Sequence, residues 1–344
     1  MTPFWGTKQA MPGPLGVWNY REILISTLGG GEWPEFERRL SLGLLAEAHT
    51  NECGEGIDDE AVRRAAESYR RAEGLLTVEE TEQWLAAQDL SHDDWEQYLV
   101  RGLLRARVGV RLTLPAHDLS RHAAFGEAFF GEAVFSDFLP DARARFAKLL
   151  ALVAEGDPPP LPDSRELARD IALRYPWLGE VSEPSVARVH AVLARAQERI
   201  DTGTSAPRMA ALIAERELEW TRLECYVVTL PSERIGRELV WCTRSERRPL
   251  VPELTRRAGV LARRQAFLLE DAPTPAKGAL ASAQPGSVVG PVRDGTTWKL
   301  YQLVSRRLPA LTDADVVRMA RINLEQQLLN EAWVRSRRRE AAHG

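Results

Sequence analysis

Between Trp33 and Val108, apolar positions recur at helical spacing and are punctuated by capping and stop signals. Phe36, Leu40 and Leu44, with Leu45 and Ala48, fall on one helical face, and Gly54 and Gly56 interrupt the pattern. Asp58 reads as the N-cap of a helix that runs through Tyr69 and stops at Gly74. Thr77-Val78-Glu79-Glu80 has the form of a capping box, opening a short helix that carries Trp84 and Leu85. Ser91-His92-Asp93-Asp94 repeats it ahead of a helix with Trp95, Leu99, Leu103 and Leu104. The pattern predicts helix, helix, short helix, helix. Pieces this short need packing against neighbours, because propensity alone does not hold them.

The middle of the chain stays helical but less regular. Phe125, Phe129, Phe130, Phe135 and Phe138 are spaced as a helix face buried in a core. A helix over Ala142 to Ala154 puts Phe146, Leu149, Leu150 and Val153 on one side. Asp157-Pro158-Pro159-Pro160-Leu161-Pro162 is incompatible with helix interior and reads as a stiff linker. Two more helices are predicted over Arg165–Arg174 and Pro184–Ile200.

After Trp220 the pattern changes. Trp220 to Leu230 is rich in β-formers and alternates in part, which predicts a strand that Pro231 ends. Helices follow from Ser232 to Cys242 and from Val251 to Ala258, then a short strand over Arg264 to Leu269 and a helical turn or two over Ala276 to Ala283. Pro285-Gly286 starts a turn, Asp294-Gly295 signals a hairpin, and Thr296 to Val304 reads as the last strand. Thr312-Asp313-Ala314-Asp315 caps a long helix to Arg339, with Val316, Ala320, Leu324, Leu328 and Trp333 as its apolar stripe.

These elements predict an α+β protein, mainly α. A helical domain over 1–112 is completed by 311–339 and interrupted by a helical insert over 113–217. A small α+β domain occupies 218–310, and the C-terminal helix of 311–344 returns to the helical domain.

Composition narrows the function. Hydrophobic residues make up 44% and charged residues 27% of 344 positions, values of an ordinary globular chain. No stretch approaches the ~18 apolar residues of a spanning helix, so no membrane role is expected. A net charge of −4 argues against a nucleic-acid partner, which usually demands a positive field. Cys53, Cys225 and Cys242 are far apart and lack CxxC spacing, the pattern of reduced core thiols. In Met1 to Leu28, the residues Lys8, Pro12, Pro14, Asn19, Arg21 and Glu22 break every apolar run. That excludes the secretory pattern there and predicts a cytoplasmic protein.

Candidate chemistry is sparse. Cys225 and Cys242 have no histidine nearby in sequence to act as a base. His117, Asp118 and His122 invite a metal reading, but without an HExxH pattern or carboxylate cluster no metal is expected. Gly29-Gly30-Gly31 lacks phosphate-loop spacing, and no cofactor is expected. Asp58-Asp59-Glu60 fits a helix start, where acidic groups meet the positive dipole end. Arg335, Arg337, Arg338 and Arg339 form a basic tip, explained by the helix dipole or, alternatively, by a site for an acidic peptide segment.

Two stretches carry a family resemblance. GIDDEAVRRAAESYRRAEGLLTVEETEQWLAAQDLSHDDWEQYLVRGLLRARV resembles the helical chaperone module of the SurA/PrsA group of foldases. ALASAQPGSVVGPVRDGTTWKLYQLVSRRLP resembles the end of their parvulin-type peptidyl-prolyl isomerase domain. The resemblance covers roughly 33–110 and 218–338 and leaves the middle unexplained. ERIGRELVWCTRSERRPLVPELTRRAG, followed by PGSVVGPV, also resembles cytosolic parvulin-like proteins of peptide maturation, which work on ribosomally made, modified peptides.

The resemblance implies a site, and the sequence departs from it there. The family places histidines on the first and last strands of the domain, at positions that fall on Tyr226 and Lys299 here. No histidine occurs between His190 and His343. The implied function is a non-catalytic peptide-binding protein that holds or presents a precursor peptide to a modifying enzyme. The alternative is an active cytosolic prolyl isomerase or chaperone with a histidine-free site. Strand alternation groups Glu224, Tyr226 and Val228 on one face, and Thr297, Lys299 and Tyr301 on another, with Trp298 and Leu300 pointing away. Tyr226, Lys299, Tyr301 and Glu224 are thus expected to line a peptide groove, with Trp95 as a contact in the helical module.

Overall fold

A computed structural model describes residues 9–13, 16–54, 56–109, 112, 122–154, 160–246, 260 and 262–343. They form a mainly helical α+β protein that divides into two compact units, Met1–Ile200 with Leu328–Gly344, and Asp201–Gln327.

The first unit opens with a hairpin of β1 (Gln9–Gly13) and β2 (Gly16–Asn19). Helices α1 (Tyr20–Thr27), α2 (Glu32–Cys53), α3 (Asp59–Ala72), α4 (Val78–Ala87) and α5 (His92–Val108) follow. Then come α6 (Ala123–Phe135), α7 (Phe138–Val153), α8 (Arg165–Arg174), a 3-10 turn at Pro176–Leu178 and most of α9 (Glu183–Gly203). The predicted caps form as written. Asp58 accepts from the Glu60 amide, and Thr77 with Glu80 and Ser91 with Asp94 close reciprocal capping boxes. A third box, Asn19 with Glu22, starts α1. Gly54, at φ 66°, ends α2 in the left-handed region that glycine favours.

Trp33 organises this core. Its Nε1 donates to the Tyr175 hydroxyl at 3.0 Å, and its ring lies within 6.2 Å of Phe36, Phe129, Phe138, Tyr175 and Trp177. These rings come from α2, α6, α7, the 3-10 turn and Tyr175, which joins that turn to α8. Residues 122–200 therefore do not stand apart as an insert; they share one hydrophobic core with residues 18–99. Gly126 makes one approach possible, since a Cβ there would lie 2.3 Å from Trp177 Cβ. Residues 155–159 of the proline run lie outside the described residues, and the helices on either side of it, α7 and α8, belong to the same unit.

The face of α2 is also corrected. Phe36 and Leu40 are buried with Gly43, Ala46 and Thr50, whereas Leu44 and Leu45 are half-buried and Ala48 is exposed. Arg101 on α5 lies against Gly43, which has no side chain to obstruct it. Arg101 there meets Glu132 of α6 at 3.4 Å, joined by Arg105 at 3.4 Å and Arg39 at 3.6 Å. Glu132 is fully buried, so three guanidinium groups compensate a charge that would otherwise be costly to desolvate.

The second unit holds α10 (Ala206–Glu215), β3 (Arg222–Leu230), α11 (Glu233–Glu246), β4 (Ala262–Leu268), a 3-10 turn (Leu269–Asp271), α12 (Thr274–Ser282), β5 (Val288–Asp294) and β6 (Thr297–Arg307). The predicted helix over 251–258 lies outside the described residues. The strands form one antiparallel sheet in the order β4-β3-β6-β5. Val228, Leu230 and Leu300 pack under Leu239 of α11 on one side. Leu223, Cys225, Val227, Tyr301 and Leu303 pack with Ala276 and Leu280 of α12 on the other. The unit begins at 201 and not at 218, because Ile213 of α10 packs with Trp220 and with Val316 and Ala320 of the last helix. That helix, α13 (Ala314–His343), runs through both units. Its end belongs to the first, where Leu329 and Ala332 join the core that holds Ala196 and Ile200.

Candidate functional site

Cross-strand register decides which candidate residues meet. Directly paired residues of an antiparallel ladder point to the same side of the sheet. Tyr226 on β3 pairs with Gln302 on β6 and with Arg264 on β4, whereas Val227 pairs with Tyr301 and Thr229 with Lys299. Tyr226 therefore projects to one face, and Lys299 and Tyr301 project to the other. The expected groove lined jointly by Tyr226, Lys299 and Tyr301 is overturned. Trp298 and Leu300, paired with Leu230 and Val228, share the face of Tyr226.

On the Tyr226 face, the ring is half-buried. Beside it Glu224 is held by Arg264 at 2.8 Å and accepts from the Ser305 hydroxyl at 3.0 Å. Those two contacts, Arg264 first, hold the Glu224 carboxyl below its ordinary range. Glu224 is thus already partnered within the sheet. Gln302, beside Tyr226, is buried.

On the opposite face, Lys299 forms an ion pair with Asp294 across the β5–β6 turn. Gly290 lets β5 bulge there at φ 114°, since a Cβ would lie 2.7 Å from the Lys299 carbonyl oxygen. Tyr301 is 3% exposed and meets the Phe267 ring edge-on at 6.1 Å. It is core, not groove. Burial, then Asp294 and Cys225, pushes its phenol up to about 12. Burial, then Glu224, pushes the Cys225 thiol up to about 11. Neither group supplies a nucleophile or base near neutrality.

Trp95 belongs to the first unit. It is 5% exposed, packed against Tyr69 at 6.0 Å and His92 at 5.3 Å. With Leu99 it floors a concavity of about 350 Å³ between α3 and α5, whose rim carries Arg63, Glu67, Arg70 and Glu96. Its buried Nε1 has no hydrogen-bond partner among the described residues. Trp95 thus anchors the α3–α5 contact from beneath this concavity. His117 and Asp118 lie outside the described residues. Among the described residues no three His, Cys, Asp or Glu side chains are grouped to hold a metal.

No motif in the sequence points to a second cavity. β1, α7 and α13 enclose about 680 Å³, lined by Met11, Pro12, Leu150, Ala151 and Trp333 and by Arg143, Lys148 and Arg337. The sequence signal was available only in part. Arg143, Ala147 and Ala151 are spaced by four residues, and Ala144 and Lys148 run beside them at the same spacing, which places all five on one face of α7. Nothing in that spacing shows that Trp333 and Met11 come to stand beside them.

No protein-family model matches this chain, and no curated protein matches it.

Proposed function

We propose that this is a non-catalytic peptide-binding protein of the parvulin foldase type, which holds a ribosomally made precursor peptide for a modifying enzyme. The observation that carries the reading is the inert chemistry of the sheet. It contains no histidine, its thiol and its buried phenol are both pushed up by burial, and Lys299 is tied to Asp294. The described strands and helices β3, α11, β4, α12, β5 and β6 of the second unit are in keeping with the small α+β domain that the resemblance implies. β4 is an outer strand with Arg263, Arg264, Gln265 and Ala266 exposed, so a peptide backbone has an edge to pair with. Among the described residues no helix is long and apolar enough to cross a membrane, and the cysteines are free thiols, in keeping with a reducing cytoplasm.

Tyr226, half-exposed on its own face, favours the alternative of a histidine-free prolyl isomerase. Isomerisation needs a site that favours the twisted amide, and no proton need leave the substrate. A protease-coupled proline-peptide assay separates the two, run beside a binding measurement with labelled unfolded peptide. The expected result is binding without acceleration. Acceleration abolished by Tyr226→Phe establishes the isomerase instead, and the absence of any peptide binding overturns both.

A further inference from the structure

The cavity between β1, α7 and α13 differs in charge from the rest of the molecule. The chain carries a net charge of −4, yet the described residues lining this cavity include three cations and no carboxylate. Arg143 and Lys148 have no ion-pair partner among the described residues, whereas Arg145 on the same helix pairs with Glu32 at 3.7 Å. Between the cations the floor is apolar, built from Leu150, Ala151 and the half-buried Trp333. The Arg337 guanidinium lies 5.6 Å over the Trp333 ring, so one cation sits directly beside that floor.

We propose that this cleft binds an acidic peptide segment in extended form, its carboxylates on Arg143, Lys148 and Arg337 and its apolar side chains against Trp333 and Leu150. The inference rests on the peptide-holding reading and gives it a site and a substrate class. An apolar floor supplies affinity, and the cationic rim selects the sign of the occupant and speeds its approach. A second copy of this chain is a weaker fit, because the described lining has cations alone and no surface complementary to itself.

The test uses the full chain and three fluorescein-labelled peptides in which Glu, Gln or Lys alternates with Leu and Phe, read by anisotropy. The Glu peptide is expected to bind about tenfold or more tightly than the Gln peptide, with a preference that weakens as salt rises. Arg143→Glu with Lys148→Glu, both on an accessible face, is expected to abolish that preference and favour the Lys peptide. Ala147→Trp, which fills the cleft, is expected to weaken all three. Equal affinity for the three peptides, or an acidic preference that survives the double reversal, overturns the proposal. A photoreactive residue at 147 is expected to label the Glu peptide. Labelling from 226 alone would remove the cleft and leave the peptide-holding reading standing, while no binding of any peptide removes both. A dimer dissociated by Ala147→Trp would assign the cleft to a second copy and overturn the proposal.

Discussion

Tyr226 and Tyr301 stand on opposite faces of one sheet, because Tyr301 pairs with Val227 while Tyr226 pairs with Gln302. Tyr301 is enclosed with Phe267, Leu303 and Cys225, and Tyr226 stays half-buried. The two tyrosines therefore answer to different tests.

Tyr301→Ala removes a buried aromatic from the smaller core and is expected to cost about 3–5 kcal/mol. Tyr226→Ala, at a half-exposed position, is expected to cost about 1 kcal/mol. Urea denaturation of the two variants checks this, and equal losses would contradict the register.

The buried carboxylate of Glu132 binds α2, α5 and α6 together through Arg39, Arg101 and Arg105. Glu132→Ala leaves the enclosed Arg101 without its counter-charge and is expected to cost about 3–5 kcal/mol. Thermal unfolding of this variant beside Glu35→Ala, whose pair with Arg38 is exposed, is the comparison. The Glu35 variant should change little.

Thiol accessibility gives a direct reading of the sheet. Cys53 is exposed and Cys225 is buried, with its thiol pushed from 9.0 up to about 11. At pH 8 an aromatic disulfide reagent should label Cys53 readily and reach Cys225 only after denaturation. Mass mapping of the labelled peptides decides it; prompt labelling of Cys225 in the native protein would contradict its burial.

Glu224 sets a pH dependence of known sign. Its carboxyl is held below the ordinary value of 4.5 by Arg264 and Ser305, so its contribution to stability is present above that value. It is lost as pH falls through the lowered one. Arg264→Ala should move the carboxyl back toward its ordinary value, visible in carboxyl-carbon NMR titration. The pair is exposed to solvent, so the accompanying stability change should be small and salt-sensitive.

Much of the fold was legible because its signals are local. Asp58, Thr77 with Glu80, and Ser91 with Asp94 satisfy helix-end amides within three residues of themselves, so the sequence alone announced where α3, α4 and α5 begin. Phe125, Phe129 and Phe135 of α6 announced burial by their spacing, with Phe130 half-buried beside them, and Asp294-Gly295 announced the β5–β6 hairpin. Spacing does not give the buried face of α2 beyond Leu40, because that face depends on where α5 crosses, and Arg101 crosses at Gly43.

What the tertiary structure alone decided are the relations between distant segments. Alternation told which residues of β3 share a side, and likewise for β6. Only the hydrogen-bonded register, set by how the strands slide against each other, told which sides coincide, and a shift of one residue exchanges the faces. For the same reason Trp33 with Tyr175, and Met11 with Arg143 and Trp333, could not be read from spacing. Each such group is assembled by packing across more than a hundred residues of chain, while periodicity records only the neighbours along one helix or strand.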